Sequence, residues 1–86
     1  MDISKMGNTI QGAIYEVGDE VYRTTITNEP FNSAHEGYAV LLEEVDELWD
    51  EVKVRRSQRD LNKMRKEACQ VAAMAIRFMI DVCETE

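Results

Sequence analysis

Residues 42–52 read Leu-Glu-Glu-Val-Asp-Glu-Leu-Trp-Asp-Glu-Val. Six of the eleven are carboxylates, and Val45, Leu48, Trp49 and Val52 recur among them at helical spacing. A buried strand cannot take that much charge, and a half-buried strand needs strict alternation. The pattern therefore predicts an amphipathic helix with one apolar stripe. A helix this acidic either lies in solvent or holds a cation.

The flanking sequence predicts two more helices. The first spans about residues 8–27, with a stripe of Ile10, Ile14, Val17 and Val21. Gly12 and Gly18 weaken it by roughly 1 kcal/mol each relative to alanine, so it depends on packing. Pro30 is the only proline and biases Glu29 away from helix, which marks residues 28–32 as a turn. Ser33, with Glu36 three residues on, begins a second helix running to about Arg56. Its apolar face holds Ala34, Tyr38, Leu41, Leu42, Val45, Leu48, Trp49 and Val52. Residues 57–59 form a polar break, and Asp60 is suited to cap the third helix. Leu61, Met64, Ala68, Val71, Ala72, Ala75, Ile76, Met79, Val82 and Cys83 give that helix a long stripe, and its alanines permit close approach. No stretch alternates as a strand. The expectation is an all-α domain over residues 1–86, three helices per subunit, assembling as a four-helix-bundle-like oligomer. A core from 86 residues is marginal alone, which points to a homodimer or homotetramer.

Charge and cysteine content exclude several functions. The net charge of −7 opposes binding of nucleic-acid polymers, which depends on excess Lys and Arg. It leaves a nucleotide substrate open, because magnesium can sit between carboxylates and phosphates. No apolar run reaches the roughly 20 residues needed to span a bilayer, and the first five residues lack a signal-peptide core. No membrane association and a cytoplasmic location are expected. Cys69 and Cys83, about 21 Å apart along one helix, cannot pair there. His35 is the only histidine and no Cys-x-x-Cys occurs, so a zinc site has no ligand set.

At about 100° per residue the carboxylates sort into two sets. Glu44 lies at the edge of the second helix's stripe beside Leu48, with Glu47 and Glu51 on the same flank. Glu43, Asp46 and Asp50 point away and are most simply a solvated face. On the third helix, Glu67 and Gln70 take the positions that Glu44 and Glu47 take on the second. If the short loop makes these helices antiparallel, Glu44, Glu47, Glu67 and Gln70 converge. Three carboxylates and an amide oxygen are hard donors suited to Mg²⁺ or Mn²⁺. The competing reading is that a Glu-x-x-Glu pair is merely solvated surface.

Glu44-Val45-Asp46-Glu47-Leu48, together with Arg65-Lys66-Glu67-Ala68-Cys69-Gln70-Val71-Ala72-Ala73-Met74, resembles the two motifs of the MazG-like all-α nucleoside triphosphate pyrophosphohydrolases. This superfamily includes the dimeric dUTPases, and the resemblance covers roughly residues 33–82. It implies Mg²⁺-dependent hydrolysis of a nucleoside triphosphate to monophosphate and pyrophosphate. Glu44 and Glu47 match the first Glu-x-x-Glu, and Glu67 opens the second motif. Gln70 stands where the family has Asp, which removes one charge and one potential base. The resemblance makes Glu44 or Glu47 the catalytic base. A second reading is a non-catalytic or weakly active relative serving as a helical oligomerisation or regulatory module. A third is a plain acidic coiled coil.

Seven of the ten basic residues fall within residues 53–66. Most simply they complement the second helix's dipole, but Lys63 and Lys66 are candidate phosphate contacts near Glu67. Arg77 is a further candidate, or an ion-pair partner. Trp49 and Tyr38 are expected in a core or subunit interface, His35 at the surface, and Met64, Met74 and Met79 as interface fillers.

Overall fold

A computed structural model describes residues 9–84. It contains three long helices, α1 (Ile10–Thr27), α2 (Ala34–Val52) and α3 (Leu61–Phe78). A 3₁₀ turn (Arg56–Gln58) precedes α3, a π-helical turn (Met79–Cys83) follows it, and no strand occurs among the described residues. No described helix is long and apolar enough to cross a membrane.

Local side-chain chemistry sets the helix starts. The Thr9 hydroxyl accepts from the Gly12 amide at 2.9 Å and caps α1. The expected start at Asn8 lies outside the described residues. Ser33 caps α2 by accepting from the Glu36 amide at 3.1 Å. The Glu36 carboxylate accepts from the Asn32 side chain at 2.9 Å, so it serves the turn before the helix. Asp60 caps α3, accepting from the amides of Asn62 and Lys63 at 3.0 and 3.1 Å. The end of α2 falls at Val52, not Arg56. Arg59 explains the early stop. Its guanidinium donates to the carbonyls of Val52 and Val54, satisfying acceptors that a continuing helix would have used.

Both other helices pack on α3. Gly37 meets Phe78, and Glu51 meets Lys63, so α2 runs antiparallel to α3. Glu16 meets Arg65, Glu20 meets Gln70, and the Glu29 carbonyl meets Arg77, so α1 runs parallel to it. Phe31, Ala73, Met74 and Val82 form the core, flanked by Val17, Val21, Ala34, Val40, Leu41 and Phe78. Met74 thus fills this chain's own interior, where a subunit interface was expected.

At Gly37 the rings of Phe78 and Phe31 lie close against α2. A Cβ there would stand 2.7 Å from Phe78 Cδ2 and 3.1 Å from Phe31 Cδ2. Alanine gains about 1 kcal/mol of helix propensity, but displacing two rings of the core costs more. Gly37→Ala is expected to destabilise the fold by about 1–3 kcal/mol net, read from the midpoint of urea unfolding. An unchanged or raised midpoint would show that the rings yield freely.

The buried faces are rotated from the centres of the apolar stripes. On α2 the inward side runs through Gly37, Leu41, Glu44 and Leu48, all buried or half-buried. The other half of the expected stripe, Tyr38, Leu42, Val45 and Trp49, stays exposed, Tyr38 at 61% and Trp49 at 58%. On α3 the inward side is Ala73, Met74 and Arg77, while Leu61 and Ala68, and Met79 of the π-helical turn, are exposed. Ile10 and Ile14 of α1 are exposed as well. No large side chain is fully buried among the described residues. The stripes are wider than one neighbour can cover, and the polar flank containing Glu44 is the part turned toward α3.

Candidate metal centre

That rotation carries Glu44 inward. Glu44 and Glu47 are one turn apart on α2, and the antiparallel register sets Glu67 of α3 opposite them. One carboxylate oxygen from each lies within 4.8 Å of the others. Glu67 Oε2 is buried and has no hydrogen-bond partner. A buried carboxylate oxygen without a donor is costly.

The electrostatics follow from this crowding. Burial pushes the Glu44 carboxyl up to about 7, helped by the charge of Glu47 and then by Glu67 and Glu43. Burial likewise raises Glu67, with Glu47 and Glu51 adding to the effect. Such a cluster can share protons or gather a cation. Its donors are hard carboxylate oxygens, a set that matches Mg²⁺ or Mn²⁺ and not the softer metals. The orphaned Glu67 oxygen is an acceptor that such a cation would satisfy, so the residues present fit the ion.

The remaining candidates are placed differently. Glu51 is paired with Lys63 at 3.5 Å, beside the cluster. Lys66 is exposed and lies within electrostatic reach of both Glu67 and Glu20. Gln70 turns its amide nitrogen toward α1, donating to Glu20 Oε1 at 2.7 Å. Of the two roles expected for Arg77, phosphate contact or ion-pair partner, the structure shows the ion pair. Arg77 is 5% exposed, pairs with Asp81 at 3.5 Å, donates to the Glu29 carbonyl at 2.9 Å and stacks over Phe31 at 4.5 Å. Its guanidinium is committed to closing the turn between α1 and α2. Trp49 and Tyr38 are not in this chain's core, and His35 is exposed.

Glu20 was missed by sorting only the second and third helices. It is 9% exposed and accepts from Arg23 as well as Gln70. Burial alone would raise its pKa, but these hydrogen bonds together with the charges of Arg23 and Lys66 hold it below the usual carboxylate range. The same 100° arithmetic puts Glu20 beside Val17, the offset that Glu44 has from Leu41. Glu20 floors a groove of about 270 Å³ between α1 and α3, whose rim carries Arg23, Arg65 and Lys66. Cys69 lies in the same groove. Burial and the nearby charges of Glu16 and Glu20 keep its thiol protonated, which argues against thiolate chemistry. Cys69 and Cys83 are both free thiols.

Comparison with family models, with curated proteins and with solved structures finds no match to this chain.

Proposed function

We propose that this protein is a Mg²⁺-dependent (or Mn²⁺-dependent) nucleotide pyrophosphohydrolase of the MazG-like type. On this reading it converts a nucleoside triphosphate to the monophosphate and pyrophosphate. The observation that carries the reading is the meeting of Glu44, Glu47 and Glu67 around a buried acceptor with no donor. Glu44, Glu47 and Glu67 would hold the ion, with Gln70 contributing its amide oxygen. Bound there, a divalent cation supplies charge neutralisation for the phosphates and lowers the pKa of a nearby water. Glu44 or Glu47 takes the proton of the attacking water. Oxygen adds to phosphorus as the bond bridging the α- and β-phosphates breaks, and pyrophosphate leaves. Lys66, exposed beside Glu67, would meet a phosphate on this reading; Lys63 would first have to release Glu51.

The reading includes self-association as a homodimer or homotetramer. It is supported by the exposed row Tyr38, Leu42, Val45 and Trp49, spaced four, three and four residues apart, as in a helix-pairing seam. It is also supported by the absence of any fully buried large side chain among the described residues.

A non-catalytic or weakly active module is the second reading. It is favoured by Gln70, which is neutral and whose nitrogen is engaged with Glu20. Pyrophosphate release from a panel of ribo- and deoxyribonucleoside triphosphates, with Mg²⁺ or Mn²⁺, separates the two. The wild type is expected to release pyrophosphate, and a Glu44→Ala, Glu47→Ala double variant to lose it. Wild-type release no greater than that of the double variant would sink the enzyme reading.

A further inference from the structure

We infer that α1 pairs with α1 of a second copy of this chain, the two helices crossing at Gly18. This face belongs to a different helix from the exposed row of α2, and the inference does not rest on the cation or the pyrophosphohydrolase reading.

Every fourth residue of α1, counted from its start, is a large apolar residue, tyrosine or glycine: Ile10, Ile14, Gly18, Tyr22 and Ile26. The four large side chains are between 65% and 81% exposed, and Gly18 is exposed among them. The row therefore lies on the side of α1 that α3 leaves uncovered. It carries no charge. Residues four apart form a ridge on a helix surface, and two such ridges interdigitate when helices cross at about −50°, the commonest class of helix contact.

Gly18 fixes where the crossing falls. A Cβ built there has nothing within 4 Å, so packing inside the subunit does not call for glycine. Nor does the backbone, since no described glycine has a positive φ. Glycine in mid-helix costs about 1 kcal/mol relative to alanine. What its missing side chain provides is room for a close approach from outside. Beside it, between α1 and α3, lies an open recess of about 350 Å³. Its lining is apolar throughout: Ala13, Ile14, Val17, Gly18, Ala72 and Ile76.

A second copy is the occupant that fits. The row is symmetric about Gly18, with Ile14 and Tyr22 four residues to either side and Ile10 and Ile26 eight. A twofold axis at Gly18 sets uncharged residues against uncharged residues along the ridge. One surface thus carries both the projecting side chains and the recess to receive them, the self-complementarity that an isologous interface needs. The area agrees. A specific interface buries about 800 Å² per partner. Four large side chains exposed to this degree, with Tyr15 also exposed on α1, offer an area of that order. The subunit's own core is small, so pairing adds burial that a short chain lacks.

Sedimentation equilibrium of the full chain, with chelator present, tests this on the wild type, Gly18→Lys and Trp49→Lys. Lysine at residue 18 has space in the single subunit and favours helix over glycine, so Gly18→Lys should keep the wild type's helical circular dichroism. It should weaken association by at least about 30-fold, the effect of losing a central interface contact. Gly18→Lys associating as tightly as the wild type would overturn the inference; if Trp49→Lys alone weakened association, the row on α2 would still stand as the interface. A wild type that stays monomeric would overturn both. Isotope-filtered NMR on mixed labelled and unlabelled wild type gives a readout that needs no variant. Contacts are expected from Ile14 or Tyr22 of one subunit to either of the same two residues of another. A self-associated wild type without such contacts would overturn the inference.

Discussion

Replacing Arg77 by methionine is expected to destabilise the protein by about 3–5 kcal/mol, the usual effect of removing one member of a buried ion pair. Arg77 sits inside the molecule at the junction of three segments. It faces Asp81 of the π-helical turn, donates to the Glu29 carbonyl beyond α1 and covers the Phe31 ring. Asp81 in turn accepts from the Phe31 amide at 3.2 Å. Methionine keeps most of the apolar stem, so packing changes little. What is lost is the cation facing a carboxylate whose side chain is only 14% exposed. Most of the cost should therefore lie in removing the cation beside the Asp81 carboxylate. Adding Asp81→Asn to Arg77→Met is expected to restore part of the stability, as measured by urea unfolding. A single variant as stable as the wild type would show that Arg77 contributes little to the junction.

The second large effect concerns Glu44. Its carboxyl rises from an ordinary value of 4.5 to about 7 on folding. Below pH 4.5 it is protonated in both states and contributes no pH dependence. Between 4.5 and 7 the unfolded chain releases this proton while the folded chain keeps it, so stability falls as pH rises. Above 7 the penalty is complete. After discounting for solvent screening of a half-buried group, it amounts to about 2 kcal/mol. Glu44→Gln removes the charge and should flatten the profile. That variant is expected to be more stable than the metal-free wild type at pH 8 and nearly equal to it at pH 4.5. Urea midpoints at the two pH values, with chelator present, check this. A wild type no less stable at pH 8 than at pH 5 would contradict the crowding of the three carboxylates.

Much of the architecture was legible because local rules decided it. Ser33 and Asp60 cap their helices with the hydrogen bonds expected of such residues. Pro30 marks the turn, and the brief connection between α2 and α3 makes them antiparallel. Helix ends were less legible. Arg59 stops α2 by reaching back to Val52, a contact that depends on the loop's three-dimensional path. The depth of burial was least legible. Periodicity identifies an apolar stripe but not which part of it meets a given neighbour. On α2 that part includes Gly37 and Glu44, leaving Tyr38 and Trp49 outside.

The same distinction runs through the candidate site. Sorting by helical angle sufficed to bring Glu44, Glu47 and Glu67 together, because all three depend only on register. Gln70 donates to Glu20 of α1, fifty residues away in sequence, a contact that sorting the second and third helices could not show. Arg77 lies on the same flank as Gln70 in projection, yet it sits two turns nearer the α1–α2 turn and pairs with Asp81. A helical wheel shows direction around the axis and conceals distance along it.

The decisive measurement is calorimetric titration of Mg²⁺ into the wild type and into the Glu44→Gln, Glu47→Gln double variant at pH 8. Glutamine keeps the size of each side chain while removing its charge, so the fold is retained and the repulsion relieved. A saturable site in the wild type that disappears in the double variant is the predicted result. Binding of equal strength in both proteins, or heat of dilution alone in the wild type, would contradict a cation site built by Glu44, Glu47 and Glu67.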